Sequence, residues 1–284
     1  MKIITKPEAI STWSNGKHND GKTIALVPTM GCLHDGHLSL IDKAKEIAEL
    51  VVVSIFVNPM QFGPTEDLDA YPRQLELDCS LAKEHGADII FSPDDRDMYN
   101  SSYQTCISVT QLSSGLCAAD RPGHFDGVAT VVTKLLNIVR PDFAVFGEKD
   151  FQQLTIIRQL VADLNIPVQV VSGAIVRESD GLAMSSRNKY LVGAERQTAL
   201  CLSKAIARAK QFISESQEPV LVQDVLVEVT AIISNSGAEL EYAEIVDRTT
   251  LASQEIVNTN SVITVAAKIG GRVRLIDNSV LNVV

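Results

Sequence analysis

The sequence predicts an α/β fold, a Rossmann-like parallel sheet with helices on both faces, followed by a smaller C-terminal α/β domain. Three observations carry this. Short, continuously apolar runs rich in valine and isoleucine alternate with stretches of helical period through the first two-thirds of the chain. Those runs lack the apolar–polar alternation of a one-sided sheet, so both of their faces are buried. Beyond about Val176 the order changes to a polar loop, two helices and then three strand-like runs in succession.

The first strand is "TIALVPT", and "HLSLIDKAKEIAEL" follows as a helix with Leu38, Ile41, Ala44 and Ile47 or Ala48 at helical spacing. "VVVSIFV" is the next strand, succeeded by a loop from Asn58 to about Arg73. "LELDCSLAKEHG" reads as a helix that Gly86 stops, and "ADIIFSP" as a strand. "GVATVVTKLLNIVR" is helical despite its valines, "DFAVFG" a strand, "DFQQLTIIRQLVADLN" a helix and "PVQVVSGAIV" a strand. The polar loop "RESDGLAMSSRNKYL" then leads to a helix starting near Gly193 and another around "VLVQDVLVEVTAIIS". "LEYAEIVD", "SVITVAAKI" and "VRLIDNSVL" close the chain as strands. The expected domains are residues 1–176, a catalytic sheet domain, and 177–284, a smaller domain hinged by the polar loop and acting as a lid. No internal repeat or low-complexity segment is visible.

Bulk properties narrow the function. The chain has 284 residues, 45% hydrophobic and 21% charged, with a formal net charge of −10. It has no block of lysine and arginine, so nucleic acid is not an expected partner. Its apolar runs fall short of the roughly 20 residues that span a bilayer, and the N-terminal residues lack a secretory signal pattern. The five cysteines, Cys32, Cys79, Cys106, Cys117 and Cys201, form no C-x-x-C pair. Free thiols in a reducing, cytoplasmic compartment are expected.

The stretch "PTMGCLHDGHLSL" carries the chemistry. His34 and His37 lie three residues apart where a strand hands over to a helix. As zinc ligands they would need further partners, which His18, His85, His124 and the scattered cysteines do not form, so no protein metal site is expected. A merely polar turn is the second reading. The third is a phosphate cradle: Gly31 and Gly36 let backbone approach a ligand, a helix N-terminus offers N–H groups, and the histidines donate to growing negative charge. In such sheets ligands bind beyond the carboxyl ends of the strands. "LAMSSRN" places Met184, Ser185, Ser186 and Arg187 in a late polar loop, read either as a second phosphate loop or as a helix cap with a solvated arginine.

His-x-Gly-His at a first strand–helix turn resembles the signature of the HIGH-motif nucleotidyltransferase superfamily, which includes class I aminoacyl-tRNA synthetases. With "LAMSSRN", "FVNPMQF" and "RPGHFDGVATVVTKLLNIVRPDFAVFGEKDFQQL", the chain resembles the pantothenate synthetase (pantoate–β-alanine ligase) family over essentially its whole length. That resemblance implies ATP-dependent joining of (R)-pantoate to β-alanine through an enzyme-bound pantoyl adenylate, with release of AMP and diphosphate. It implies Mg²⁺ accompanying ATP, and a homodimer. It assigns His37 as catalytic acid, with His34, Lys149 and Arg187 assisting at the phosphates. It assigns ATP contacts to Met30, Gly31, Cys32, Leu33, His34, Asp35, Gly36, His37, Gly147, Glu148, Lys149, Asp150, Val176, Met184, Ser185, Ser186 and Arg187. Gln61 and Gln153 would hold pantoate, since uncharged amides grip its oxygens without quenching the nucleophile. Asn58 joins them as a substrate contact or as a cap of its loop. Arg121 and His124 are expected to be structural or near the site.

The family loop usually has alanine where this chain has Cys32, which would place a reactive thiol beside the phosphates if it were exposed. Two competing functions remain open at this stage. A nucleotidyltransferase that adenylylates a phosphate would not need the glutamine pair, and a nucleotide-sensing module would bind ATP without releasing AMP.

Overall fold

The computed structural model describes residues 1–64, 66 and 68–281. It divides into two compact units: Met1–Ser113 with Arg121–Glu148 and Ile156–Ala174, and Ser114–Asp120 with Lys149–Thr155 and Ile175–Val284.

The N-terminal unit is built on six parallel strands. In chain order these are β1 (Lys2–Ile4), β2 (Ile24–Thr29), β3 (Leu50–Ile55), β4 (Ile89–Phe91), β5 (Phe143–Gly147) and β6 (Gln169–Gly173), in the spatial order β1-β4-β3-β2-β5-β6. The helices that accompany them are α1 (Pro7–Asn19), α2 (Asp35–Ile47), α3 (Leu75–Glu84), the short α4 (Asp95–Met98) and α6 (His124–Val139). α5 (Cys117–Asp120) lies in a segment of the other unit, and α7 (Phe151–Asp163) begins there and ends in this one.

The apolar runs explain the layering. Ala25 and Val27 of β2, Val51 and Val53 of β3 and Val145 of β5 turn to one face, where they bury Leu38, Ile41 and Ala44 of α2 and Ala82 of α3. The alternate residues, Ile24, Leu26 and Val52, are equally buried and point to the other face. There α6 meets β2, with Val128, Val131, Val132, Leu135 and Leu136 all buried. Strand order reverses at β2, between the β3–β4 side and the β5–β6 side. The carboxyl ends of β2 and β5 therefore flank a topological switch point, where sheets of this kind hold ligands.

In the C-terminal unit, β7 (Glu239–Asp247), β8 (Ser261–Ile269) and β9 (Val273–Val280) form an antiparallel sheet in that order. Before it come α8 (Glu195–Ala199), α9 (Cys201–Glu215) and α10 (Val222–Asn235). One sheet face, with Ile245, Ile263, Val265, Ala267 and Leu275, packs on Ala205, Ile206 and Ala209 of α9 and Val225, Val229 and Ile233 of α10. On a smaller cluster Leu116 and Phe151 join Val246 and Val262, which explains why segments 114–120 and 149–155 group with this unit. Among the described residues no helix is long and apolar enough to cross a membrane.

Candidate active site

The loop after β2 is shaped by a residue from another helix. The side chain of Asp78 in α3, 1% exposed, accepts the amides of Cys32 and Leu33, both at 2.8 Å, and the Gln74 amide at 3.2 Å. The carboxylate comes so close that a Cβ at Gly31, where φ is +80°, would stand 2.9 Å from it and 3.1 Å from Ile55. Thr29 completes the turn, with Oγ1 accepting the Gly31 amide at 3.1 Å and donating to the Ser54 carbonyl at 2.8 Å.

The amides of Cys32 and Leu33 turn inward to Asp78. At the N-terminus of α2 the amides of Asp35 and Gly36 are the ones left without a partner among the described residues, because His37 and Leu38 already donate to the His34 carbonyl at 2.7 and 3.0 Å. Cys32 is fully buried with φ +53°, so the exposed thiol required for high reactivity is not there. Both histidines are half-buried, and their rings lie together with centroids 4.0 Å apart and planes inclined by 31°. Among the described residues no three histidine, cysteine or carboxylate side chains converge.

The second element is the turn Pro59–Gln61 after β3. Asn58 is its cap, accepting the Met60 amide at 3.3 Å and the Tyr99 hydroxyl at 2.9 Å on Oδ1. Its Nδ2 donates to the Gln61 side chain at 3.2 Å and the Gly127 carbonyl at 3.1 Å. Asn58 thus has the cap geometry of its loop, and through Nδ2 it holds the Gln61 side chain. Burial pushes the Tyr99 phenol well above its ordinary range, keeping it a neutral donor to Asn58. Gln61, 8% exposed, directs Nε2 at the Met30 sulfur, 2.9 Å away. The glutamine turn and the histidine loop thus meet at Met30.

The main chain of that turn is braced by α6. His124 Nδ1 donates to the Gln61 carbonyl at 2.8 Å while its Nε2 accepts from Arg121 at 2.9 Å, which fixes the tautomer. Arg121 is itself clamped by both oxygens of Glu66, at 2.8 and 2.5 Å. Gly127 lets the helix press on the turn, since a Cβ there would stand 2.3 Å from the Met60 carbonyl oxygen. Beyond β5, Gly147 is half-buried, and Glu148 accepts the Ser172 hydroxyl at 2.8 Å.

With this geometry in place, the chain matches the family model described as pantoate-beta-alanine ligase over residues 2–280. The chain belongs to the pantoate–β-alanine ligase family. It is 52% identical to the pantothenate synthetase of Desulfotalea psychrophila, over 99% of each chain, and 49% identical to that of Heliobacterium modesticaldum, over 100% of each. Its structure superposes on the pantothenate synthetase of Thermus thermophilus with a TM-score of 0.92 at 37% identity, covering 98% and 99% of the two chains. A pantoate-beta-alanine ligase from Francisella tularensis, complexed with beta-gamma ATP and beta-alanine, gives 0.82 at 36% identity, covering 99% and 97%.

The ligase's remaining candidate residues lie in the C-terminal unit. Lys149 is half-buried with its ammonium 3.9 Å from Asp150, itself exposed. Of the adjacent glutamines, Gln152 is the inward one, accepting the Cys117 amide at 3.0 Å and donating to the Gly115 carbonyl at 3.2 Å. Gln153 is half-buried, and its amide meets no hydrogen-bond partner among the described residues. Val176 accepts the Met184 amide at 2.9 Å. Ser185 caps the turn Ser186–Tyr190, its hydroxyl accepting the Arg187 amide at 3.3 Å, and Ser186 and Arg187 are half-buried.

Sequence reasoning missed Asp78, Tyr99 and Gly127. Asp78 sits on the buried side of α3 beside Cys79 and Ala82, and an acid on the apolar side of a helical period was the available signal.

Proposed function

We propose that this ligase activates (R)-pantoate with ATP and passes the pantoyl group to β-alanine, and that the histidine loop and the glutamine turn are the parts of the N-terminal unit that do so. The observation that carries this is the Gln61–Met30 contact. A thioether is a weak acceptor, so the Gln61 amide is held in place yet ready to exchange sulfur for a substrate oxygen. An uncharged amide there orients the pantoate carboxylate without lowering its nucleophilicity, and Gln153 offers a second one.

In the first step the pantoate carboxylate attacks the α-phosphorus of ATP, the bond to the bridging oxygen breaks, and diphosphate leaves with that oxygen's charge. His34 and His37, side by side at the N-terminus of α2, donate to the phosphates in this reading, together with the amides of Asp35 and Gly36. Lys149 and Arg187 supply the cations. In the second step the β-alanine amine attacks the acyl carbon, AMP departs, and the amine proton is lost. No covalent enzyme intermediate is needed.

Mg²⁺ belongs to this reading as a companion of the nucleotide. It prefers phosphate oxygens and water, with at most one or two carboxylates from the protein. When bound it would neutralise phosphate charge. Support for the substrates comes from the family and from the Francisella tularensis relative, whose complex holds beta-gamma ATP and beta-alanine. On the same reading the enzyme is a cytoplasmic homodimer, as the family resemblance implies.

The test is product analysis with Mg·ATP and (R)-pantoate, with and without β-alanine. AMP in molar excess over enzyme only when β-alanine is present is the expected result. ATP binding without AMP under every combination would make the protein a nucleotide sensor, and a dinucleotide product would make it a phosphate adenylyltransferase.

A further inference from the structure

Two adjacent residues of β9 hold the segments that carry Lys149 and Arg187. Asn278, 4% exposed, donates from Nδ2 to the main-chain carbonyl of Lys149 at 2.8 Å. Asp277, 2% exposed, accepts both terminal nitrogens of Arg177, at 2.7 and 2.9 Å. Its carboxylate also accepts the Asn278 amide at 2.8 Å, so the dipeptide is fixed within itself.

From Arg177 the connection runs to the polar loop. The same guanidinium donates to the Gly181 carbonyl at 3.0 Å, and Arg177 pairs with Ala183 as an antiparallel bridge. The Met184 amide closes on the Val176 carbonyl at 2.9 Å, and Asn188 Nδ2 on the Ala183 carbonyl at 3.0 Å. Residues 176–188 thus form one folded arm, bearing Met184–Arg187 and fastened to β9 by a bidentate pair. Such a pair with a buried acid has a defined geometry that a surface lysine contact lacks.

Neighbours on a strand point to opposite faces, so one dipeptide reaches two segments. Its height is set by the ladder to β8, where Asp277 stands opposite Val265 and Asn278 opposite Thr264.

We propose that Asp277 and Asn278 are positioning residues that set Lys149 and the Met184–Arg187 arm in a common register for the phosphates of ATP. It rests on the assignment of Lys149 and Arg187 as phosphate cations. Neither β9 residue touches the nucleotide: Asn278 acts through the Lys149 backbone and Asp277 through Arg177.

A double-mutant cycle tests this in the pantoate-dependent exchange of labelled diphosphate into ATP, without β-alanine. Lys149→Ala should slow exchange by on the order of 10²-fold. Asn278→Ala should lower kcat/KM for ATP about tenfold, a hydrogen bond's worth of positioning, with the KM for pantoate unchanged. In the Lys149→Ala background the Asn278 change should cost nothing further. Asp277→Asn paired with Arg187→Ala should behave in the same way. A full tenfold loss in both backgrounds, or a matching rise in the KM for pantoate, would reduce β9 to a structural role and overturn the proposal. Wild-type exchange in Lys149→Ala itself would instead overturn the phosphate assignment, and the positioning role with it. If Asn278→Ala fails to fold, Asn278→Asp, equal in size but unable to donate, decides in the same cycle.

Discussion

The Asp78 carboxylate accepts the main-chain amide of Cys32 at 2.8 Å, across 46 positions of sequence. A charge from α3 therefore sets the loop that carries His34 and His37. The bond is deeply buried, so its loss is felt in full: an unsatisfied buried amide costs about 1–3 kcal/mol. Asp78→Asn should lower stability by that amount and slow diphosphate exchange, as the loop loses its anchor. Urea unfolding followed by circular dichroism, together with the exchange rate of the folded variant, checks both.

Gly127→Ala should distort the glutamine turn. The added methyl would press on the Met60 carbonyl from 2.3 Å, and the turn or α6 must move. Overpacking of this kind costs about 1–3 kcal/mol. The KM for pantoate should rise more than that for ATP, because Gln61 is the side chain displaced. Equal rises in both would show that the whole unit had loosened.

Cys32 should be inert. With its side chain buried, a thiol reagent should inactivate wild type and Cys32→Ala at the same rate. Exposed Cys106 should label first, as read by mass spectrometry of the modified peptides.

The fold was largely legible because its signals are local. β2, β3 and β5 are continuous apolar runs, and α2 keeps its period, so the alternation that defines the sheet is written in short windows. β1 was not read: it spans only Lys2–Ile4 and exists through its parallel pairing with β4, 87 positions away at Lys2↔Ile89. α1 was missed as well, since its apolar residues are few and Gly16 interrupts them. In the candidate site, His34, His37 and Gln61 stand out by motif. What fixes them was not: Asp78, Tyr99 and Gly127 act through main-chain atoms and close approach, which leave no spacing rule in the sequence.

Acid should weaken the C-terminal unit through Arg196. Its guanidinium bonds Glu178 and Asp180, at 2.7 Å each, and holds both carboxyls below their usual range. A depressed folded pKa gives stability that is present above the ordinary carboxylate value, about 4, and is lost as pH falls through the lower folded value. The urea midpoint of wild type should therefore drop more steeply below about pH 4 than that of Arg196→Gln. Parallel profiles would mean that the pair contributes nothing to folding.

The most direct test of the site as a whole is pantoate-dependent diphosphate exchange, without β-alanine, in wild type and Gln61→Leu. Wild type should exchange, and Gln61→Leu should lose on the order of 10²-fold or more while its affinity for ATP holds. Exchange at the wild-type rate in Gln61→Leu would contradict the claim that the Gln61–Met30 junction is where pantoate is activated.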